Sequence, residues 1–303
     1  MPGSNPRFVI KARGLSVDEV FIDLEDAVAP AEKEQSRVSA AQALRDGGWG
    51  TKIRAVRVND ARTGWAYRDV VDIVEHAGEW LDSIVLPKVT GPVDVGWLDL
   101  LLGQIEQATG LEQGRISIEA QIEDAAGLAN VDAIAASSSR LAALIFGPAD
   151  FMASMGMRSL TVGAQPAGYA AGDAFHYAHM RILVAARANG LQAIDGPFAA
   201  IADIAGLTAS AANAAAIGFD GKWVLHPDQV DVVNREFSPS AAEYDRAELM
   251  IEAYEYYTTV QRRGAAMLDG EMIDEASRKL AQVTAARGRA AGLSRTRRFE
   301  PPD

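Results

Sequence analysis

Cysteine is missing from all 303 residues, which removes disulfides, thiolate metal centres and cysteine nucleophiles together. Histidine is nearly missing: four occur, and His76, His176 and His179 share no metal spacing beyond what a helix face supplies, so they read as structural. Positive charge is short, with 29 Lys and Arg against 41 Asp and Glu for a net charge of −12. That balance argues against general nucleic-acid binding, and an anionic substrate would need a local cationic cluster or a metal. No apolar run approaches the roughly 20 residues that span a bilayer, and no charged-then-apolar leader opens the chain. With no cysteine to oxidise, the expected compartment is the cytoplasm. Apolar residues are plentiful at 49%, enough for a large core in one barrel-sized domain or two smaller ones.

Those apolar residues fall into short runs alternating with helical stretches. Strands are expected over 19–24, 53–58, 82–87, 115–123, 140–146, 192–194 and 222–225, most of them ending in polar residues. Residues 126–136 read as one helix, and 147–172 as a long Gly/Ala/Met-rich connection of the kind that carries function. The recurring order of strand, polar strand end and helix predicts an α/β fold, a parallel TIM (β/α) barrel, with seven strands rather than eight. The barrel is expected over 1–237 and a C-terminal helical extension over 238–286, its last helix running from Asp274 to about Ala286. The arginine-rich residues 287–303 are expected to form a mobile tail.

Two strand ends stand out. Ile116–Gly127 (ISIEAQIEDAAG) delivers Glu123, and Leu144–Asp150 (LIFGPAD) delivers Asp150. In a parallel barrel the carboxyl ends of the strands converge on one face. Two acids there make an oxygen-only site suited to Mg²⁺, or to Mn²⁺, with positions left for substrate oxygens. The alternative is local: Glu123 caps the helix that follows it and Asp150 caps a turn.

Nine segments in order, PGSNPRF, IDLEDAVAPAEKEQSR, VRVN, LPKV, IEDAAG, FGPADF, IDGPF, GKWVLHPDQ and GEMID, resemble the citrate lyase β-subunit and malyl-CoA lyase group of the HpcH/HpaI aldolase superfamily. The resemblance spans about Pro2 to Ala286. The unbroken IDGPF, the FHYAHMRILVAAR helix and DGEMIDEAS lean toward malyl-CoA lyases. It implies a TIM barrel with a C-terminal extension, Mg²⁺ dependence, acyl-CoA and keto-acid substrates, and a homotrimer or hexamer with active sites shared between subunits.

Particular residues take roles from that resemblance. Arg57 in VRVN matches the arginine that faces the keto-acid oxygen, its alternative being an ion pair with Glu25 or Asp26. Asp274 in GEMID matches the acid/base presented by a neighbouring subunit, where a water-poor lid could raise its pKa; its alternative is a helix N-cap. Glu25 and Asp26 would hold Arg57 or orient water on the metal, or else be solvated. Lys88 would meet a substrate phosphate or a carboxylate. Pro2–Arg7 and the loops 195–198, with Pro197, and 222–226, with His226, resemble segments lining a CoA cleft, although His226 also suits a helix start.

Two departures accompany the match. Members of the group carry a strand before the PGSNPRF segment, whereas this chain starts inside it. The recorded start is expected to be internal, or else one stave is lacking and a sheet edge lies open to pairing. Residues 160–173 also form a shorter loop than in typical malyl-CoA lyases. The expected activity is reversible cleavage of a malyl-CoA, β-methylmalyl-CoA or citramalyl-CoA ester to a keto acid such as glyoxylate and an acyl-CoA. The alternatives are a malyl-CoA thioesterase, or a subunit of a citrate-lyase-like complex without independent activity.

Overall fold

Seven parallel strands pair in strict sequence order, each neighbour in the sheet being the next strand along the chain. They are β1 (Glu19–Asp23), β2 (Ile53–Arg57), β3 (Ser83–Leu86), β4 (Ser117–Ile122), β5 (Leu141–Phe146), β6 (Gln192–Asp195) and β7 (Gly221–Lys222). The computed structural model describes residues 1–3 and 5–301. Sequential parallel pairing demands a crossover after every strand, and helices supply it. In chain order the helices are α1 (Pro6–Arg13), which precedes β1, then α2 (Lys33–Arg45), α3 (Ala66–Ala77), α4 (Pro92–Thr109), α5 (Ala125–Ala129), α6 (Val131–Ala135), α7 (Pro148–Ser154), α8 (His176–Ala188) and α9 (Ile204–Ile217) between strands, and α10 (Val230–Phe237) after β7.

The sheet curls. Phe21 of β1 and Trp223, one residue past β7, stack with ring centroids 4.4 Å apart. A flat sheet would hold strands six places apart roughly 29 Å from one another. Phe21, Ala55, Val85, Ile145, Ile194 and Trp223 therefore form one interior layer, as alternating side chains do inside a barrel. On the edge of β1 away from β2, Asp23 N–H donates to the Met1 carbonyl at 2.7 Å and Gly3 N–H to the Asp23 carbonyl at 2.9 Å. Met1–Gly3 thus runs beside β1, and seven strands make the sheet among the described residues.

One layer toward the amino ends of the strands, the interior holds a pair of acids. Glu119 is buried in β4 and Glu19 begins β1. Burial raises the pKa of both, and for Glu19 the charge of Glu119 adds to the rise. A carboxyl that keeps its proton in the folded state favours folding at low pH and loses that advantage as pH rises through its folded pKa. Glu119→Gln removes one of the two charges and can donate to Glu19. The variant should match the parent near pH 4 and melt about 2 °C or more higher at pH 8; equal melting temperatures at both pH values would refute the pairing.

The structure departs from the sequence expectations where backbone caps decide boundaries. The connection over 147–172 contains a helix, α7, because Gly147 is extended and Pro148 sits at its first position. The helix expected over 126–136 is two, α5 and α6, broken where Asn130 takes φ −101° and ψ 8°. The last strand stops at Lys222, because Leu225 and His226 turn their N–H groups onto the Gln229 side chain.

The chain divides into two units, Met1–Val233 and Asn234–Asp303. In the second, α11 (Ala241–Thr259) packs on α12 (Glu275–Ala290) through Tyr244, Ala247, Ala281 and Ala285, and between them lies the hairpin of β8 (Ala266–Leu268) and β9 (Glu271–Ile273). The expected mobile tail is instead tied to α11. Arg295 forks onto Glu252 at 2.6 and 2.7 Å, Thr296 N–H donates to Asp245 at 2.9 Å, and Phe299 lies against Tyr256 and Tyr257. No described helix is long and apolar enough to cross a membrane.

Candidate active site

Asp23 and Arg57 occupy the last positions of β1 and β2 and are register partners, so both reach the carboxyl face of the sheet. Arg57 forks onto Asp23 with two bonds of 2.8 Å and lies 3.3 Å from Glu25. Burial alone would raise the Asp23 carboxyl, but the bonds and charge of Arg57 hold it below the usual range. The rings of Phe21 and Trp223 lie beneath the guanidinium, at 5.9 and 5.5 Å. Burial opposes the charge on Arg57, and Asp23 and Glu25 more than restore it.

Lys88 follows β3 with φ 52°, a left-handed backbone unusual for a residue with a Cβ. That turn points its N–H at Glu123 Oε1, 2.7 Å away. Its ammonium bonds Glu25 and lies 3.5 Å from Asp26 and 3.7 Å from Asp150. Carboxylates are thus the partners that the fold gives Lys88.

Glu123 stands just past β4 and is 2% exposed. It caps nothing: Asp124, the next residue, accepts from Gly127 N–H and caps α5. The Gln121 amide and the Lys88 N–H hold Glu123 instead. Burial pushes its pKa up to about 8, the Lys88 bond opposes that, and Asp150 and Glu25 add to the rise. Asp150 lies in the first turn of α7, where the helix end favours a negative charge, and it too is not the cap. Asp26 is largely exposed beside Lys88. A cavity of about 330 Å³, lined among others by Glu25, Asp26, Asn59, Trp65 and Lys88, opens next to the cluster.

Two glycines make this approach possible. A Cβ on Gly147 would stand 2.4 Å from the Glu123 Cβ, and one on Gly196 would stand 2.1 Å from Pro148, which opens the helix of Asp150. Gly147→Ala must therefore displace Glu123. We expect the protein to stay folded with affinity for a divalent ion down by about tenfold or more, and calorimetric titration at parental strength would show that the spacing is unimportant.

The other expected residues divide. Lys222, in a loop likened to a CoA cleft, is buried, donating to Asp195 at 2.5 Å and to the Gly196 carbonyl at 2.7 Å. Asp195 also meets His179 at 3.1 Å. Burial would raise Asp195, yet the Lys222 charge and the His179 bond bring it down to about 2. His226 is a helix start, its Nδ1 accepting from Asp228 N–H. Pro197 is half-buried in the segment after Gly196. Asp274 belongs to the second unit, where its side chain caps α12 and accepts from Ser277 N–H at 3.0 Å. Those bonds lower its pKa. Sequence reasoning missed Asp23, Gln121 and Gly147, although Asp23 stands in the same IDLED run as Glu25 and Gly147 in FGPAD.

Glu25, Asp26, Arg57, Lys88, Glu123 and Asp150 thus meet at one end of the sheet. Among the described residues no three His, Cys, Asp or Glu side chains are grouped to hold a metal by themselves. A hard cation here would take two carboxylates and draw its other oxygens from substrate and water. Five carboxyl groups, counting Asp23, gather here around Arg57 and Lys88, with the Lys33 and Met1 ammonium groups close by, and a divalent ion would add to their neutralisation.

Known proteins are similar to this chain over most of its length. An L-malyl-CoA/β-methylmalyl-CoA lyase of Cereibacter sphaeroides is 40% identical over 290 residues, covering 93% of this chain and 91% of the relative. A (3S)-malyl-CoA thioesterase of the same species is 34% identical, covering 96% and 93%. The structure of the CitE protein of Mycobacterium tuberculosis, in complex with magnesium, acetoacetate and coenzyme A, superposes with a TM-score of 0.74 at 29% identity over 96% of both chains. The family model described as HpcH/HpaI aldolase/citrate lyase matches residues 1–227. A sheet of this order, ending in this set of acids and matched over nearly its whole length by such relatives, places the chain in the HpcH/HpaI aldolase/citrate lyase family.

Proposed function

We propose that this protein is a Mg²⁺-dependent carbon–carbon lyase. It reversibly cleaves a β-hydroxyacyl-CoA of the malyl-CoA, β-methylmalyl-CoA or citramalyl-CoA type into a keto acid such as glyoxylate and an acyl-CoA. The observation that carries the reading is that Lys88 reaches both acids, its N–H bonding Glu123 at 2.7 Å and its ammonium lying 3.7 Å from Asp150, at the sheet end where Asp23 fixes the Arg57 guanidinium. The names of the 40% identical relatives support the substrate class.

Glu123 and Asp150 would hold the ion, which when bound supplies Lewis-acid polarisation and a template for oxygen ligands. In the cleavage direction the bond between the α and β carbons breaks. The β-hydroxyl gives its proton to water in the cleft and becomes the keto acid's carbonyl. The pair of the broken carbon–carbon bond passes to the α carbon as an acyl-CoA enolate, and that carbon takes up a proton that the acid/base has drawn from water, so that no proton is gained or lost overall. Arg57 has N–H groups beyond the two taken by Asp23, and these stabilise negative charge on the keto-acid oxygen. Because Asp23 and the ring layer fix the guanidinium, little reorganisation is needed as that charge develops. Glu25 positions Arg57 and Lys88 together. Our reading assigns the proton at the α carbon to Asp274, delivered by another copy in a homotrimer or hexamer. Held below the usual carboxylate range by Ser277, it is ionised at neutral pH and ready to accept the proton in the condensation direction.

Incubating the protein with malyl-CoA, a trap for glyoxylate and a thiol reagent, with and without EDTA, tests this. Keto acid formed only when metal is present supports the lyase. Thiol release without keto acid makes the protein a thioesterase, as its 34% identical relative is named. Neither product from a folded sample supports a subunit role instead.

A further inference from the structure

Lys88 combines two features that a packing role does not require. Its backbone is left-handed at φ 52°, where glycine would sit without strain, and it is followed directly by the buried Val89. Its ammonium meets acids from separate parts of the fold: it bonds Glu25, lies 3.5 Å from Asp26, and lies 3.7 Å from Asp150 in α7. The same residue's N–H fixes Glu123. One lysine therefore touches both carboxylates assigned to the metal, by backbone on one and by charge on the other. Of the other cations nearby, Arg57 is committed to Asp23 and Glu25, and Lys33 to the Glu25 carbonyl and Asn59.

We propose that Lys88 is the resident counter-ion of this carboxylate cluster and sets its affinity for a divalent cation. This rests on the reading of Glu123 and Asp150 as metal-holding residues. A unit positive charge within 4 Å of Asp150 offsets part of the field that would attract a dication, and an entering ion must share Asp150 with the ammonium or displace it. Two consequences follow from charge alone. Without metal, the ammonium stabilises acids that would otherwise repel one another. With metal, it opposes binding, so that affinity is held below what two carboxylates among five would give.

The positions of backbone and side chain allow these effects to be separated. Lys88→Met removes the ammonium and keeps a Cβ on the left-handed backbone. Lys88→Gly removes the ammonium and frees the backbone while retaining the N–H to Glu123. Metal-free protein is titrated with MgCl₂ by calorimetry, and melting is followed with and without saturating MgCl₂. Both variants should bind Mg²⁺ tighter than the parent, on the order of tenfold. Both should gain more in melting temperature from added Mg²⁺, and Lys88→Gly should melt above Lys88→Met. A residue with a merely structural role would lower metal affinity when removed, so the sign of the change is the discriminating readout. Parental protein that binds Mg²⁺ while the folded variants bind it equally or more weakly overturns the counter-ion role and leaves the metal site standing. Parental protein that binds no Mg²⁺ overturns the metal site and this inference with it.

Discussion

Asp150→Asn is expected to abolish turnover of malyl-CoA, by at least about a thousandfold, while the protein stays folded with little change in melting temperature. Asp150 is half-buried in the first turn of α7, it is not the helix cap, and its nearest charged partner is Lys88 at 3.7 Å. Its side chain therefore contributes little to holding the fold, and an amide of the same shape removes the charge without leaving a void. The loss falls on the chemistry, because an amide is a poorer ligand for a hard dication than a carboxylate. Mg²⁺ titration should show affinity falling in parallel with activity. Turnover at the parental rate, with an undiminished EDTA effect, would mean that the metal is held elsewhere.

Mixing two inactive variants should restore activity. Asp274→Asn alone is expected to bind acyl-CoA normally and to slow the chemistry by about a hundredfold or more. If Asp274 serves the metal-holding residues of another copy, assemblies re-formed from equal amounts of Asp274→Asn and Asp150→Asn contain sites with both groups intact. Random assortment gives about one quarter of such sites. Recovery toward a quarter of parental activity after subunit exchange supports a shared site. No recovery, from variants that remain folded and demonstrably exchange, would confine each site to one chain. Asp274→Asn should stay folded, since Asn also caps helices well.

The fold was largely legible in the chain. Apolar runs ending in polar residues and separated by helical stretches predict sequential parallel pairing, and the seven strands follow that order. The misjudged boundaries, at α7, between α5 and α6 and at β7, lie where a single cap or one side-chain bond decides the matter, which periodicity does not record. The tail was misjudged for a related reason. An arginine-rich stretch looks solvated until Glu252 and Asp245, more than forty residues earlier, are seen to receive it.

The site divides in the same way. By itself the sequence determined which residue types arrive at strand ends, because alternation and strand length are local properties set by φ, ψ and apolar spacing. Whether an acid caps a helix or faces a cleft was decided by the tertiary structure: Asp124 took the cap and left Glu123 to the Lys88 backbone. The same holds for partners far apart in the chain, Arg57 finding Asp23 across 34 residues and Lys88 finding Glu25 across 63. Curling of the sheet brings Phe21 against Trp223 and so fixes which strand ends face one another. Charges interact through distance in space, and that distance exists only once the sheet has curled.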